Sequence, residues 1–228
     1  MPDKQIRQYT EDTNPDEESD FLLQDTSNLY RKSKIKNFLK RLFTFDDVYD
    51  DYLVSGLNLV TPGGSSSPTL LNFRNNIWLY AFEDTPSVQE GFFDIHIKHD
   101  IKANTDITFH IHWTHNIASP SGNIKWNIEY TFAKGYEAGT FFDPVTVSTI
   151  QTAGAQYAHH ITDDDDMVIT APHDIEPDTI LIARIYRDST DGSDTFASDA
   201  FLLHVDMHYV KARTGTKERN RPFTSGGF

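Results

Sequence analysis

From residue 69 to residue 210 no segment of the chain sustains a helical period. Apolar residues alternate with polar ones or gather in short runs, and turn-forming clusters interrupt them every ~8–12 residues. Candidate strands are 69–74, 76–82, 91–98, 106–113, 123–133, 145–151, 157–161, 166–170, 178–187 and 198–210. Between them stand Asp84-Thr85-Pro86, Asn104, Ser119-Pro120-Ser121-Gly122, Gly135 and Gly139, the acidic run 163–166, Pro172, and the segment 188–194. The loop TPGGSSSP at 61–68 precedes the first strand. Many short strands with one apolar face must stack as two sheets or close on themselves. The expectation is an all-β fold, a jelly-roll-like β-sandwich over residues 45–210, with an open barrel as runner-up.

The first 44 residues read differently. Residues 11–20 hold six acids and Pro15, a composition that forms no structure of its own. Residues 21–24 and 29–32 can pair across the turn-rich Asp25-Thr26-Ser27-Asn28. Ser33 then stands as a helix cap, and Ile35, Phe38, Leu39, Leu42 and Phe43 fall on one apolar stripe. A helix of about three turns is marginal alone in water. Its stripe must pack on the hairpin, on a neighbouring copy or on a host protein. The expected organisation is a small hairpin-plus-helix module within 1–44, the sandwich over 45–210, and a basic tail at 211–228. Phe21, Leu23 and the stripe are the candidate anchoring residues.

Composition narrows the classes. Apolar residues make 38% of the chain and aromatics 13%, enough for a genuine core. The absence of cysteine excludes disulfide scaffolds, thiolate zinc sites and cysteine nucleophiles. The polar start MPDKQIRQYTEDTNPDEESD does not read as a signal peptide, and no apolar run reaches the ~18–20 residues that span a bilayer. A soluble product made in the cytoplasm is expected. Residues 1–44 carry eight basic and eight acidic side chains, so the body and tail, with 12 and 26, carry the whole net charge of −14. Such a body repels nucleic acid and anionic membrane, and neither is expected as a partner. Six cations at 31–41 and five at 211–221 could meet an acidic partner, or be a solvated helix face and a frayed tail.

Ten histidines raise the question of a metal. In DITFHIHWTH, His110 and His112 share one face of a strand. In LLHVDMHYV, His204, Asp206 and His208 again share a face. Were the two strands neighbours, four imidazoles and a carboxylate would form one patch, a set that suits zinc, iron or manganese. Metal-binding cupins, also jelly rolls, place a glutamate shortly after such an HxH pair. Here position 116 is Asn and the next glutamate is Glu129. The expected reading is therefore a polar strand face, with no cofactor. Asp188, Asp191 and Asp194 offer oxygens to calcium, but a hairpin turning at Asp191-Gly192 accounts for them more simply. No nucleophile elbow, P-loop or dinucleotide fingerprint appears. Trp78, Trp113 and Trp126 read as core or interface residues before sugar-stacking ones.

Three stretches carry a resemblance: TDITFHIHWTHN, GNIKWNIEYTFAKG and ARIYRDSTDGSDTFASDAFLLHVDMHYV. Together they resemble a group of tailed-bacteriophage structural proteins with an HxHW strand, a WxxEY strand and a final RxxRD…DxHY segment. The match falls on His110, His112 and Trp113, on Trp126, Glu129 and Tyr130, and on Arg184, Arg187, Asp188, Asp206, His208 and Tyr209. It covers about residues 75–210; near Phe109-His110 the family strand usually carries a proline that this chain lacks. The N-terminal segment is similar to the starts of phage tail fibres and tailspikes, where an acidic lead, a strand like DFLLQD, a basic strand and a helix join an appendage to the particle. These resemblances imply a virion structural protein with no enzyme activity, a homotrimer located in the virion and docked through residues 1–44. Its partners would be its own copies, other tail or capsid proteins, and a host surface. The expected role is a tail-associated fibre or adaptor-like component; a capsid decoration protein is the alternative, and a metal-dependent jelly-roll enzyme a remote one.

Overall fold

The computed structural model describes residues 20–24, 30–34, 48–103, 105–136, 138–163, 166–169 and 175–212. The chain divides into two compact units, one within residues 1–46 and the other within 47–226.

In the first unit, β1 (Asp20–Gln24) pairs antiparallel with β2 (Tyr30–Lys34), setting Phe21 opposite Ser33 and Leu23 opposite Arg31. The expected hairpin is present, but its second strand starts one residue later and runs two residues further. Ser33 is thus a strand residue and not a helix cap. Arg31 and Lys32 lie on the second strand as expected, and Lys34, expected beyond the cap on the helix, belongs to the ladder as well. The antiparallel ladder gives alternate residues of β1 and β2 backbone hydrogen bonds across the pair, whereas a short isolated helix gains its own only after a costly nucleus. Ile35, Phe38, Leu39, Leu42 and Phe43 lie outside the described residues, as does the tail from residue 213 onward.

The second unit contains β3 (Tyr49–Ser55), β4 (Thr69–Arg74), β5 (Ile77–Phe82), β6 (Gln89–His96), β7 (Ile107–Thr114) and β8 (Asn123–Ala133). It continues with β9 (Val145–Thr152), β10 (His160–Ile161), β11 (Val168–Ile169), β12 (Ile180–Arg187) and β13 (Ala200–Val210). One sheet runs β10-β7-β13-β5-β4, with β11 also on β7 and β3 also on β13; the other runs β6-β12-β8-β9. Take β10 and β11 as one position, since both pair with β7 on the side away from β13. From β5 onward, one sheet then holds the first, last, third and sixth strands, and the other the second, seventh, fourth and fifth. That interleaving is the strand order of a jelly roll. The unit is an all-β sandwich, and the open barrel is not formed.

Three differences from expectation have physical reasons. The strand β3 was not foreseen, because YDDYLVS carries two acids and buries only Tyr52. The segments 157–161 and 166–170 shrink to two-residue strands on either side of the acidic run 163–166. Residues 188–194 do not close a hairpin: β12 and β13 belong to different sheets, and the segment crosses from one to the other.

The inner faces meet in one aromatic-rich core. Trp113 and Trp126 approach across the sandwich with ring centroids 6.4 Å apart, Phe82 packs edge-on against Trp126 at 5.1 Å, and Phe109 lies 6.2 Å from Tyr130. Burying each such side chain is worth about 1.5–3 kcal/mol. Trp78 departs from the core reading and is 51% exposed. A charged pair sits inside as well. Arg187 donates Nε–H to Asp194 Oδ2 and Nη2–H to Asp194 Oδ1, both at 2.9 Å. Its remaining donors reach the carbonyls of Phe82 at 2.9 Å, Ser198 at 2.6 Å, and Phe196. All five guanidinium donors are therefore engaged. This clamp ties β12 to β5 and to the crossover that leads into β13.

Candidate functional site

The central strand of the larger sheet is β13, flanked by β7 on one side and β3 on the other. Its phase changes midway. Ala200 and Leu202 belong to the core, and so do Val205, Met207 and Tyr209. The switch from even to odd positions occurs where the register against β7 slips, between Leu202 and His204. A β-bulge inserts one residue and so moves the following side chains to the opposite face. Because of it, His204, Asp206 and His208 turn away from the core.

The register then sets three rows across the outer face. His204 lies between Ser55 and His112, Asp206 between Leu53 and His110, and His208 between Asp51 and Thr108. All five residues singled out from sequence, His110, His112, His204, Asp206 and His208, therefore share one surface. Two participants were missed. Asp51 arrives on β3, which sequence reading did not recognise as a strand. His159 arrives just before β10, in the AHHI segment.

Contacts within the face are close. His112 Nε2–H donates to Asp206 Oδ2 at 2.8 Å, and His112 Nδ1 lies 2.8 Å from His159 Nε2. His208 Nε2 lies 3.1 Å from Asp51 Oδ1. The His110 and His208 rings pack with centroids 4.0 Å apart, and His112 and His204 stand 6.5 Å apart. Asp206 is the unusual member. Its side chain is only 8% exposed, and its Oδ1 atom has no hydrogen-bond partner among the described residues. A buried polar atom left in that state costs about 1–3 kcal/mol. One ligand atom each from Asp51, Asp206 and His208 lies within 4.8 Å of the other two. Beside Asp51, a groove of about 390 Å³ opens between β3 and β6, lined also by Leu53, His96 and Lys98.

Burial holds the His112 imidazole below its ordinary pKa; Asp206 opposes this, and His159 and His204 reinforce it. Burial is the largest of these causes, and repulsion from the neighbouring imidazoles only adds to it. The same shift reaches two histidines toward the sheet edge. His115 is lowered by burial against the opposing pull of the Gly154 carbonyl. His160, which stacks on Trp113 at 4.5 Å, is lowered by burial and then by His115 and His159.

The other candidate carboxylates have partners within the chain. Asp191 pairs with Lys125 Nζ at 2.6 Å, Asp194 is held by Arg187, and Asp188 accepts from the Thr190 hydroxyl at 2.6 Å. The remaining residues that carry the phage resemblance are framework. Trp113, Trp126 and Tyr209 are fully buried, and Arg184 bridges Glu129, at 2.7 Å, and Glu90 on the outer face of the smaller sheet. The candidate anchoring residues Phe21 and Leu23 lie on β1. Among the described residues no helix is long and apolar enough to cross a membrane.

No family model and no curated protein matches this sequence. Distant likenesses exist among solved structures. The infectious bursal disease virus Gt strain structure matches with a TM-score of 0.38 and 9% identity, over 83% of this chain and 37% of that one. A Clostridium thermocellum xylanase structure, complexed with xylohexaose, matches with a TM-score of 0.38 and 12% identity, over 72% of this chain and 29% of that one. A carbohydrate-binding module specific for non-crystalline cellulose matches with a TM-score of 0.27 and 12% identity, over 66% of this chain and 85% of that one. This chain spans little more than a third of the length of the viral chain. The fold assignment rests on the strand order given above, and the function is argued from the chain's own residues.

Proposed function

We propose that this protein is a structural component of a tailed-phage virion, tail-associated and fibre- or adaptor-like, docked through its N-terminal segment. A jelly roll hosts many activities, so the fold by itself does not carry this reading. The observation that carries it is how the residues behind the phage resemblance are used. Trp113, Trp126 and Tyr209 fill the core, Arg187 clamps the crossover, and Arg184 and Glu129 bridge neighbouring strands. A motif used in this way specifies a rigid building block. A second feature agrees: Leu70, Ile77 and Trp78, on β4 and β5, leave large apolar side chains in solvent, as surfaces that meet other proteins do. In this reading the partners are further copies of the chain, as a homotrimer, and neighbouring virion proteins, and the protein performs no catalytic step.

Gold-labelled antibody against the body, applied to purified particles, tests location. Label at the tail supports the adaptor-like role; label over the capsid replaces it with a decoration role; its absence from particles overturns both. Docking is tested by replacing Phe21 and Leu23 together with Asp. The variant is expected to keep the melting temperature of the body and to be lost from particles. Normal incorporation would remove the N-terminal segment from the docking role.

A further inference from the structure

We propose that Asp51, Asp206 and His208 form a binding site for a divalent first-row transition cation, which clips β3 onto β13. The inference stands apart from the virion reading and rests on the outer face of the larger sheet.

Four observations converge. First, the three side chains offer one ligand atom each within 4.8 Å of one another, and His208 Nε2 to Asp51 Oδ1 is 3.1 Å. That shorter distance is what two adjacent ligands with bonds of about 2.1 Å to one ion would show. Second, Asp206 Oδ1 is buried without a hydrogen bond, on a side chain that is 8% exposed. Oδ2 is committed to His112, which stands toward the His204 end of the face, so Oδ1 is the oxygen left for a partner on the His208 side. Third, the His112 that orients this carboxylate is itself in contact with His159 Nε2 at 2.8 Å. Hydrogen-bonded support behind a ligating carboxylate is the usual outer shell of a metal site. Fourth, the charges match. Two carboxylates and a neutral imidazole bring two negative charges, and no Lys or Arg occupies positions 51, 53, 55, 108, 110, 112, 204, 206 or 208 that make up the face.

The ligand set decides the class of ion. One imidazole with two carboxylates suits zinc or manganese better than calcium, which takes oxygen ligands and more of them. Three protein ligands leave further positions to water, and the half-exposed Asp51 keeps that side of the site in contact with solvent. Asp51 is the one ligand on β3, and the other two are on β13. The ion would thus tie the strand at the start of the second unit to the centre of its sheet. The competing account is an ion pair in which a protonated His208 bridges the two aspartates. It requires acid rather than metal, and the same experiment separates the two.

The test uses the full chain, purified without a histidine tag, dialysed against EDTA and then titrated with zinc chloride or manganese chloride at neutral pH. Calorimetry and thermal unfolding are the readouts. The expected result is uptake of one ion per chain and a melting temperature that rises with the ion and falls back with EDTA. Asp51→Asn and Asp206→Asn should each weaken binding by about tenfold or more, and His112→Asn by about 10–100-fold through loss of orientation. Asp51 is half-exposed, so its variant will fold and decides the matter even if the Asp206 variant does not. His99→Asn, a histidine on another part of the unit that contacts Asp178 at 3.4 Å, should bind as the unaltered protein does. No uptake by the unaltered chain overturns the proposal. So does equal affinity in the Asp51 variant, or loss of binding in the His99 variant, which would mark scattered histidine binding instead.

Discussion

Two aspartates are buried among the described residues, and they are treated in opposite ways. Asp194 gives both oxygens to the guanidinium of Arg187, whose other donors are taken up by backbone carbonyls. Asp206 gives one oxygen to the imidazole of His112, and its other oxygen has no hydrogen bond among the described residues. The first arrangement is closed, with every charge and donor matched. The second is open, and it sits in a face where four further imidazoles and a second carboxylate gather. A closed buried pair is framework, because nothing is left for a ligand to satisfy. An open one keeps capacity for a partner.

The largest effect should come from breaking the closed pair. Arg187→Met leaves the Asp194 carboxylate buried without its cation, and a loss of about 3–5 kcal/mol in urea unfolding is expected. A loss below about 1 kcal/mol would mean that the clamp is not the fixed point it is taken to be. Asp206→Asn should behave otherwise. In metal-free protein the amide still offers an oxygen to His112 and removes a buried charge, so a cost of about 1 kcal/mol or less is expected. If this variant is as damaging as Arg187→Met, the distinction between open and closed fails.

Acid sharpens the same contrast. His112, His115 and His160 are held by burial below their ordinary values, whereas in the unfolded chain each titrates near pH ~6.5. Between the two values the unfolded chain binds more protons, so stability is complete above about pH 6.5 and falls as pH drops below it. Melting temperatures measured from about pH 7.5 to about pH 5 should show that decline; a flat or rising profile contradicts the neutral assignment. The smallest effect belongs to the outer face of the smaller sheet. Arg184 is partly exposed and its ion pairs with Glu90 and Glu129 are reached by solvent, so Arg184→Met should cost only about 0.2–1 kcal/mol, still less at high salt.

Much of this arrangement was legible in the residues. The segment 123–133 was bounded correctly because strong β-formers alternate between a turn at Gly122 and the glycines at 135 and 139. The pairs His110/His112 and His204/Asp206/His208 were correctly assigned to shared faces, since period two is a local property of an extended chain. Asp51 was illegible for the opposite reason. Two acids in YDDYLVS argue against a strand, and the segment becomes one only because β13 offers a free ladder along its second half.

By itself, then, the sequence determined which residues alternate, where most of the turns fall, and that the body is all-β. Only the tertiary structure decided which strands meet. β7 and β13 are about ninety residues apart, and their adjacency depends on the whole jelly-roll path. The bulge between Leu202 and His204 was equally a tertiary matter. It changes the phase of β13 so that Leu202 and Val205 both enter the core, and it thereby turns Asp206 outward to meet His112 and His208. Alternation is set by neighbours along the chain, whereas register is set by the packing of distant strands against a common core, and the candidate site is made of register.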